Sequence, residues 1–80
     1  MEIEFTRKAL KDLKNLPRKV RERVLWKLER IKINPMKYVK KLVDTPYYRL
    51  RVGEYRVILL IEDKIYVLRI AHRKNIYKMV

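Results

Sequence analysis

The sequence predicts an α+β fold: a short N-terminal strand, an antiparallel α-helical hairpin, then a three-stranded antiparallel meander forming one twisted sheet packed on the helices. Three observations predict it. Apolar residues recur at helical spacing from Ala9 to Ile31, the periodicity becomes strand-like after Pro46, and Gly53-Glu54 splits the strand-like part at the length of a hairpin loop. A chain of 80 residues is read as one domain, 1–80, with a thin core. An apolar share of 49% is ordinary for a folded chain.

Element by element, Ile3 to Phe5 is long enough for one brief strand. Thr6 suits an N-cap, and Ala9, Leu10, Leu13 and Leu16 follow at helical spacing. Asn15-Leu16-Pro17 interrupts the pattern, and Pro17 suits the first turn of a second helix. There Val20, Val24, Leu28 and Ile31 make a continuous stripe, with Leu25 and Trp26 to its sides. Asn34-Pro35 stops this helix, because a residue before proline is steered away from helical dihedrals. Met36 to Pro46 reads as a loop carrying Lys37, Lys40 and Lys41. Tyr47–Val52, Tyr55–Ile61 and Ile65–Ala71 read as strands rich in Val, Ile, Leu and Tyr. Gly53-Glu54 fits a type II′ turn, Asp63-Lys64 is taken as a second two-residue loop, and His72 to Val80 forms a short tail.

Loop length fixes strand register. With these loops Arg51 faces Arg56, Leu50 faces Val57, Val57 faces Ile70, Ile58 faces Arg69 and Arg56 faces Ala71. One face then holds Tyr48, Leu50, Val52, Tyr55, Val57, Leu59, Ile61, Tyr66, Leu68 and Ile70, and is apolar enough to bury against the helices. The other holds Arg49, Arg51, Arg56 and Arg69, with Arg73 just past the strand end. Like charges directly opposite destabilise a sheet. Arginines gathered without carboxylates suit an anionic ligand, since the guanidinium fork matches phosphate. The competing reading is that they solvate the open face of an antiparallel sheet.

Charge points the same way. Lys and Arg total 22 against 9 Asp and Glu, for a net charge of +13 and a pI near 10.3. Such a domain carries the electrostatic footprint of a nucleic-acid binder, although an acidic protein or an anionic membrane responds to the same field. The absence of Cys excludes disulfides, thiol catalysis and zinc–thiolate sites, and one His cannot build a His-rich metal site. No metal and no cofactor are expected. No apolar run reaches the roughly 18 residues of a membrane span, and Met1 leads into polar sequence, so a cytoplasmic protein is expected.

The segments Tyr48-Arg49-Leu50-Arg51-Val52-Gly53-Glu54-Tyr55-Arg56-Val57 and His72-Arg73-Lys74-Asn75-Ile76-Tyr77 resemble the RelE branch of the RelE/ParE toxin superfamily. The order of elements fits as well, so the resemblance spans essentially the whole chain. It implies the toxin of a type II toxin–antitoxin system. Such a toxin enters the ribosomal A site, against 16S rRNA, and cuts mRNA there without a metal. The 2′-OH attacks its own phosphate and the 5′-oxygen leaves. By this resemblance Arg51, Arg56, Arg73 and Tyr77 are the expected catalytic set. Arg49, Arg69 and Lys74 are expected to bind RNA.

Arg56 and Arg73 would stabilise phosphorane charge, Arg49 and Arg51 would hold flanking phosphates or leaving-group charge, and Tyr77 would stack on a base or act at the 2′-OH. Two arginines stand on the first long strand where some relatives have lysine, and arginine is effectively never deprotonated. Histidine is the residue type whose ordinary titration range suits a base, yet alternation points His72 to the apolar face or the strand end, where a structural role competes. Glu54 reads as a turn residue, Trp26 as packing, and the helix lysines as solvated or touching rRNA phosphates. The implied partners are a cognate acidic RelB-like antitoxin, in a toxin–antitoxin hetero-oligomer, and mRNA on the ribosome. Two alternatives remain: a ParE-like inhibitor of DNA gyrase, and a non-catalytic basic RNA-binding relative.

Overall fold

A computed structural model describes residues 1–79, so the end of the expected tail, Val80, lies outside the described residues. The chain runs β1 (Ile3–Phe5), α1 (Arg7–Lys14), α2 (Arg18–Ile31), β2 (Val39–Lys41), β3 (Tyr48–Val52), β4 (Tyr55–Ile61) and β5 (Ile65–His72). Short 3-10 turns lie at Pro35–Lys37 and Ile76–Lys78. The five strands form one sheet in the order β1-β5-β4-β3-β2, with β1 parallel to β5 and the other neighbours antiparallel.

The helices form where their caps and stripes allow. Thr6 Oγ1 accepts from the Ala9 N–H at 3.1 Å, which satisfies one of the orphan donors of α1. The same hydroxyl donates to the Leu68 carbonyl at 3.1 Å, tying the helix start to β5. In α2 the stripe of Val24, Leu28 and Ile31 is buried, with Val20 at its margin. These residues meet Leu50, Val52, Val57, Leu59, Ile65, Val67 and Ile70 from the sheet. Burying each Leu or Ile contributes on the order of 1.5–3 kcal/mol relative to exposure.

Leu25 and Trp26 lie off the stripe and are exposed. Trp26 does not pack into the core as expected; its ring lies under the Arg30 guanidinium at 4.8 Å.

Two further sequence expectations change in the sheet. The stretch Met36–Pro46 is not all loop: it contains the turn at Pro35–Lys37 and the edge strand β2, which pairs Val39 with Leu50, Lys40 with Arg49 and Lys41 with Tyr48. Three residues are too few for alternation to declare itself, and the strand exists because β3 offers it an unpaired edge.

The β4–β5 connection also differs. Ile61 pairs with Ile65, so the loop has three residues, Glu62-Asp63-Lys64, closed by a 2.9 Å bond from the Glu62 N–H to the Lys64 carbonyl. That extra residue flips the parity of β5, placing Ile65 and Val67 in the core and moving Tyr66 and Leu68 off the apolar face. A β-bulge then restores it: Ile58 pairs with Arg69 but Leu59 with Val67, leaving Leu68 unopposed. The two departures cancel. Val57↔Ile70, Ile58↔Arg69 and Arg56↔Ala71 therefore stand as the two-residue loop predicted.

Candidate nucleic-acid interface

The face away from the helices is built by β3, β4 and the C-terminal turn. Gly53 adopts φ +57°, the left-handed conformation that the first loop position of a type II′ turn requires. A side chain there would also sit about 3.0 Å from the Arg23 guanidinium. This tight turn sets Val52 opposite Tyr55 and therefore Arg51 directly opposite Arg56. Counting outward from a two-residue loop, that is a non-hydrogen-bonded pair, the kind in which side chains stand closest.

The two arginines are not equivalent. Arg56 is only 7% exposed, and one guanidinium nitrogen donates to the Gly53 and Tyr55 carbonyls, each at 2.9 Å. The hairpin thus holds its own arginine in a fixed pose by backbone oxygens, which leaves its charge uncompensated. Arg51 across from it is exposed. Arg49, one step along the same face, donates to the Tyr77 hydroxyl at 3.3 Å. Among the described residues neither Arg49 nor Arg51 forms an ion pair.

Tyr77 reaches Arg49 only by crossing β5 and β4, and what it crosses is Ile58, which belongs to this face by register and is fully buried. Ile76, also fully buried, anchors the crossing segment. The expected tail is therefore a structured cover on one half of the arginine face.

Arg73 lies at the far side of the hairpin, with Nε 2.7 Å from the Glu54 carboxylate and its N–H on the Glu54 carbonyl at 2.8 Å. Glu54 is thus more than a turn residue. Arg69 is taken up by Asp12 of α1 through two bonds, 2.9 and 3.2 Å, which also raise its pKa. Asp12 additionally accepts the Ile70 N–H at 2.9 Å, at the edge of β5. His72 pairs with Tyr55 on the helix side, its ring edge-on to the tyrosine at 5.4 Å. Its Nδ1 accepts from the Lys74 N–H at 3.2 Å. Lys74 itself is exposed.

Of the expected residues, Arg49, Arg51, Arg56 and Tyr77 thus converge, while Arg73 adjoins through Glu54, and Arg69 and His72 are engaged elsewhere. Sequence reasoning missed Lys40, which β2 places directly opposite Arg49 on the same face. No grouping of three or more His, Cys, Asp or Glu suited to a metal exists among the described residues.

Residues 3–77 match the ParE toxin family of type II toxin–antitoxin systems. The curated Toxin RelE3 of Methanocaldococcus jannaschii is 36% identical over 84 aligned positions, covering 96% of each chain. The chain belongs to the RelE/ParE toxins. The RelE in the RelB–RelE antitoxin–toxin complex from Methanococcus jannaschii is 33% identical, with TM-score 0.78 over 95% of this chain and 96% of that one. The toxin–antitoxin complex RelBE2 from Mycobacterium tuberculosis contains a similar chain at 27% identity, TM-score 0.82, covering 90% and 96%. These RelE likenesses put the protein on the RelE side of the superfamily, as a type II toxin with a RelE-like α+β fold.

Proposed function

We propose that this RelE-family toxin is a metal-independent endoribonuclease that cleaves mRNA in the ribosomal A site. The observation that carries the reading is the Arg51–Arg56 pair, two like charges set face to face by a two-residue turn with no carboxylate between them. Repulsion of that kind is tolerated where a dianionic group relieves it.

In the proposed reaction the 2′-OH of one nucleotide attacks the adjacent phosphorus. A pentacoordinate phosphorane forms, the P–O5′ bond breaks, and the products are a 2′,3′-cyclic phosphate and a 5′-OH. One proton leaves the 2′-OH and one reaches the 5′-oxygen. Arg56, pre-set by two backbone carbonyls, and Arg51 stabilise the phosphorane oxygens, a task that suits fixed, permanently charged donors. Tyr77, hydrogen-bonded to Arg49, is the group of this cluster able to donate or accept at a reacting hydroxyl. Arg73 joins when phosphate displaces Glu54, and Lys74 and Arg69 add to the surrounding positive field.

The partner follows from the same surface. An acidic, RelB-like antitoxin would neutralise the arginine face or displace the segment around Tyr77, forming a hetero-oligomer in the cytoplasm, where the ribosomes are. Among the described residues no helix is long and apolar enough to cross a membrane.

Primer extension on mRNA in a reconstituted translation reaction tests the proposal, using wild-type protein, Arg51→Ala and Tyr77→Phe with a ribosome-free control. Ribosome-dependent cuts that weaken in both variants are expected. Intact mRNA with folded wild-type protein refutes the reading. Because the matching family bears the ParE name, a gyrase supercoiling assay is the natural second measurement, and inhibition there would establish the alternative.

A further inference from the structure

Beside the arginine pair, a cleft of about 410 Å³ opens toward the edge of the sheet, lined by Lys37, Tyr38, Val39, Lys40, Arg49 and Arg51. Its lining holds four cations, one aromatic ring and no acid. Register explains the grouping. Lys40 stands opposite Arg49, and continuing the β2–β3 pairing by one residue brings Tyr38 level with Arg51. The 3-10 turn at Pro35–Lys37 then folds Lys37 back, so that its ammonium lies 5.7 Å from the centre of the Tyr38 ring.

Each component has a ligand chemistry. Lys40 and Arg49 sit on neighbouring strands, roughly 4.8 Å apart in backbone spacing, close enough to share one phosphate. Tyr38 is 37% exposed and offers a ring to a planar group. A cationic groove beside an aromatic platform is the combination that holds single-stranded nucleic acid: charge follows the backbone and the ring stacks on a base.

We propose that this cleft is a nucleotide subsite, binding the residue of single-stranded RNA next to the scissile phosphate, with Lys40 and Lys37 on its phosphate and Tyr38 stacked on its base. Its place next to the scissile phosphate rests on the RNA-cleaving reading; binding itself does not depend on cleavage.

The test is fluorescence anisotropy with a 2′-O-methyl hexanucleotide, which cannot be cleaved by 2′-OH attack, and with the same oligomer made abasic. Lys37→Ala/Lys40→Ala should weaken binding about tenfold and flatten the log K against log[salt] slope by about 0.7, the loss of one neutralised phosphate on a single strand. Tyr38→Leu should weaken binding of the full oligomer about fivefold or more and leave the abasic one unchanged. Lys8→Ala/Lys19→Ala, on the helices, controls for net charge, and circular dichroism controls for folding.

Equal losses in the control pair, or a Tyr38→Leu effect of the same size on the abasic oligomer, would overturn the subsite. So would failure of the wild-type protein to bind the hexanucleotide. Primer extension with the same variants separates the two proposals. Wild-type cleavage with unaltered oligomer affinity in the variants removes the subsite alone. Variant-sensitive binding without wild-type cleavage removes the ribonuclease alone.

Discussion

Replacing Asp12 with alanine should be among the most damaging single changes to the fold, although Asp12 lies on the shortest helix and outside the apolar core. Its carboxylate accepts three hydrogen bonds, two from Arg69 and one from the Ile70 N–H. The Arg69 side chain is 21% exposed and that of Asp12 14%, so the pair is largely withdrawn from water. Removing one partner of a fully buried pair costs about 3–5 kcal/mol, mainly through the charge left unpaired. Partial exposure moves the expected loss to the lower end, about 3 kcal/mol, and that figure already includes the stranded Ile70 N–H. For a domain of this size 1 kcal/mol corresponds to roughly 4–8 °C, so the midpoint should fall by about 12–24 °C. Asp12→Asn keeps an acceptor for Ile70 and should lose about half as much. In an Asp12→Ala background Arg69→Met should cost little or even restore stability, because it removes the orphaned charge. Urea and thermal unfolding of five proteins (wild type, Asp12→Ala, Asp12→Asn, Arg69→Met and the Asp12→Ala/Arg69→Met double variant), followed by circular dichroism, measure all of this. An Asp12→Ala loss below about 1 kcal/mol, or strict additivity with Arg69→Met, would refute the view that this pair fastens α1 to the sheet.

Three further outcomes are expected. Gly53→Ala should cost about 1–2 kcal/mol in urea unfolding, because alanine is strained at φ +57° while the Arg23 guanidinium above it can swing aside. Arg56→Lys should leave most of the stability intact but lower mRNA cleavage by about 10²–10³-fold, since an ammonium cannot both bond the two hairpin carbonyls and present a fork to phosphate; a cleavage rate within threefold of wild type would contradict the role given to Arg56. Glu54→Gln should change stability by less than about 0.5 kcal/mol, as the Arg73 pair is exposed on both sides, yet tighten RNA binding at low salt by freeing Arg73.

The local features of this protein were legible in its sequence because each depends on neighbours in the chain. Gly53-Glu54 sets the β3–β4 register, so the Arg51–Arg56 pair at the heart of the candidate site followed from one turn. Thr6, Pro17 and Asn34-Pro35 bounded the helices, and the stripe from Val24 to Ile31 chose their buried face.

Contacts between distant segments decided the rest. The three-residue loop before β5 and the bulge at Leu68 are separately invisible and jointly silent in the pairing of Arg69; burial of Ile65 and Val67 selects them. Asp12 meets Arg69 across 57 positions, and Arg49 meets Tyr77 across 28, distances over which no periodicity reports. Lys40 joined the basic face only because β3 had a free edge for a three-residue strand to complete. Sequence alone therefore determined the hairpin and its facing arginines, through steric rules that act within a turn. Tertiary packing determined which charges are neutralised and which stay open, because that depends on what each guanidinium meets once the helices and the C-terminal turn have closed on the sheet.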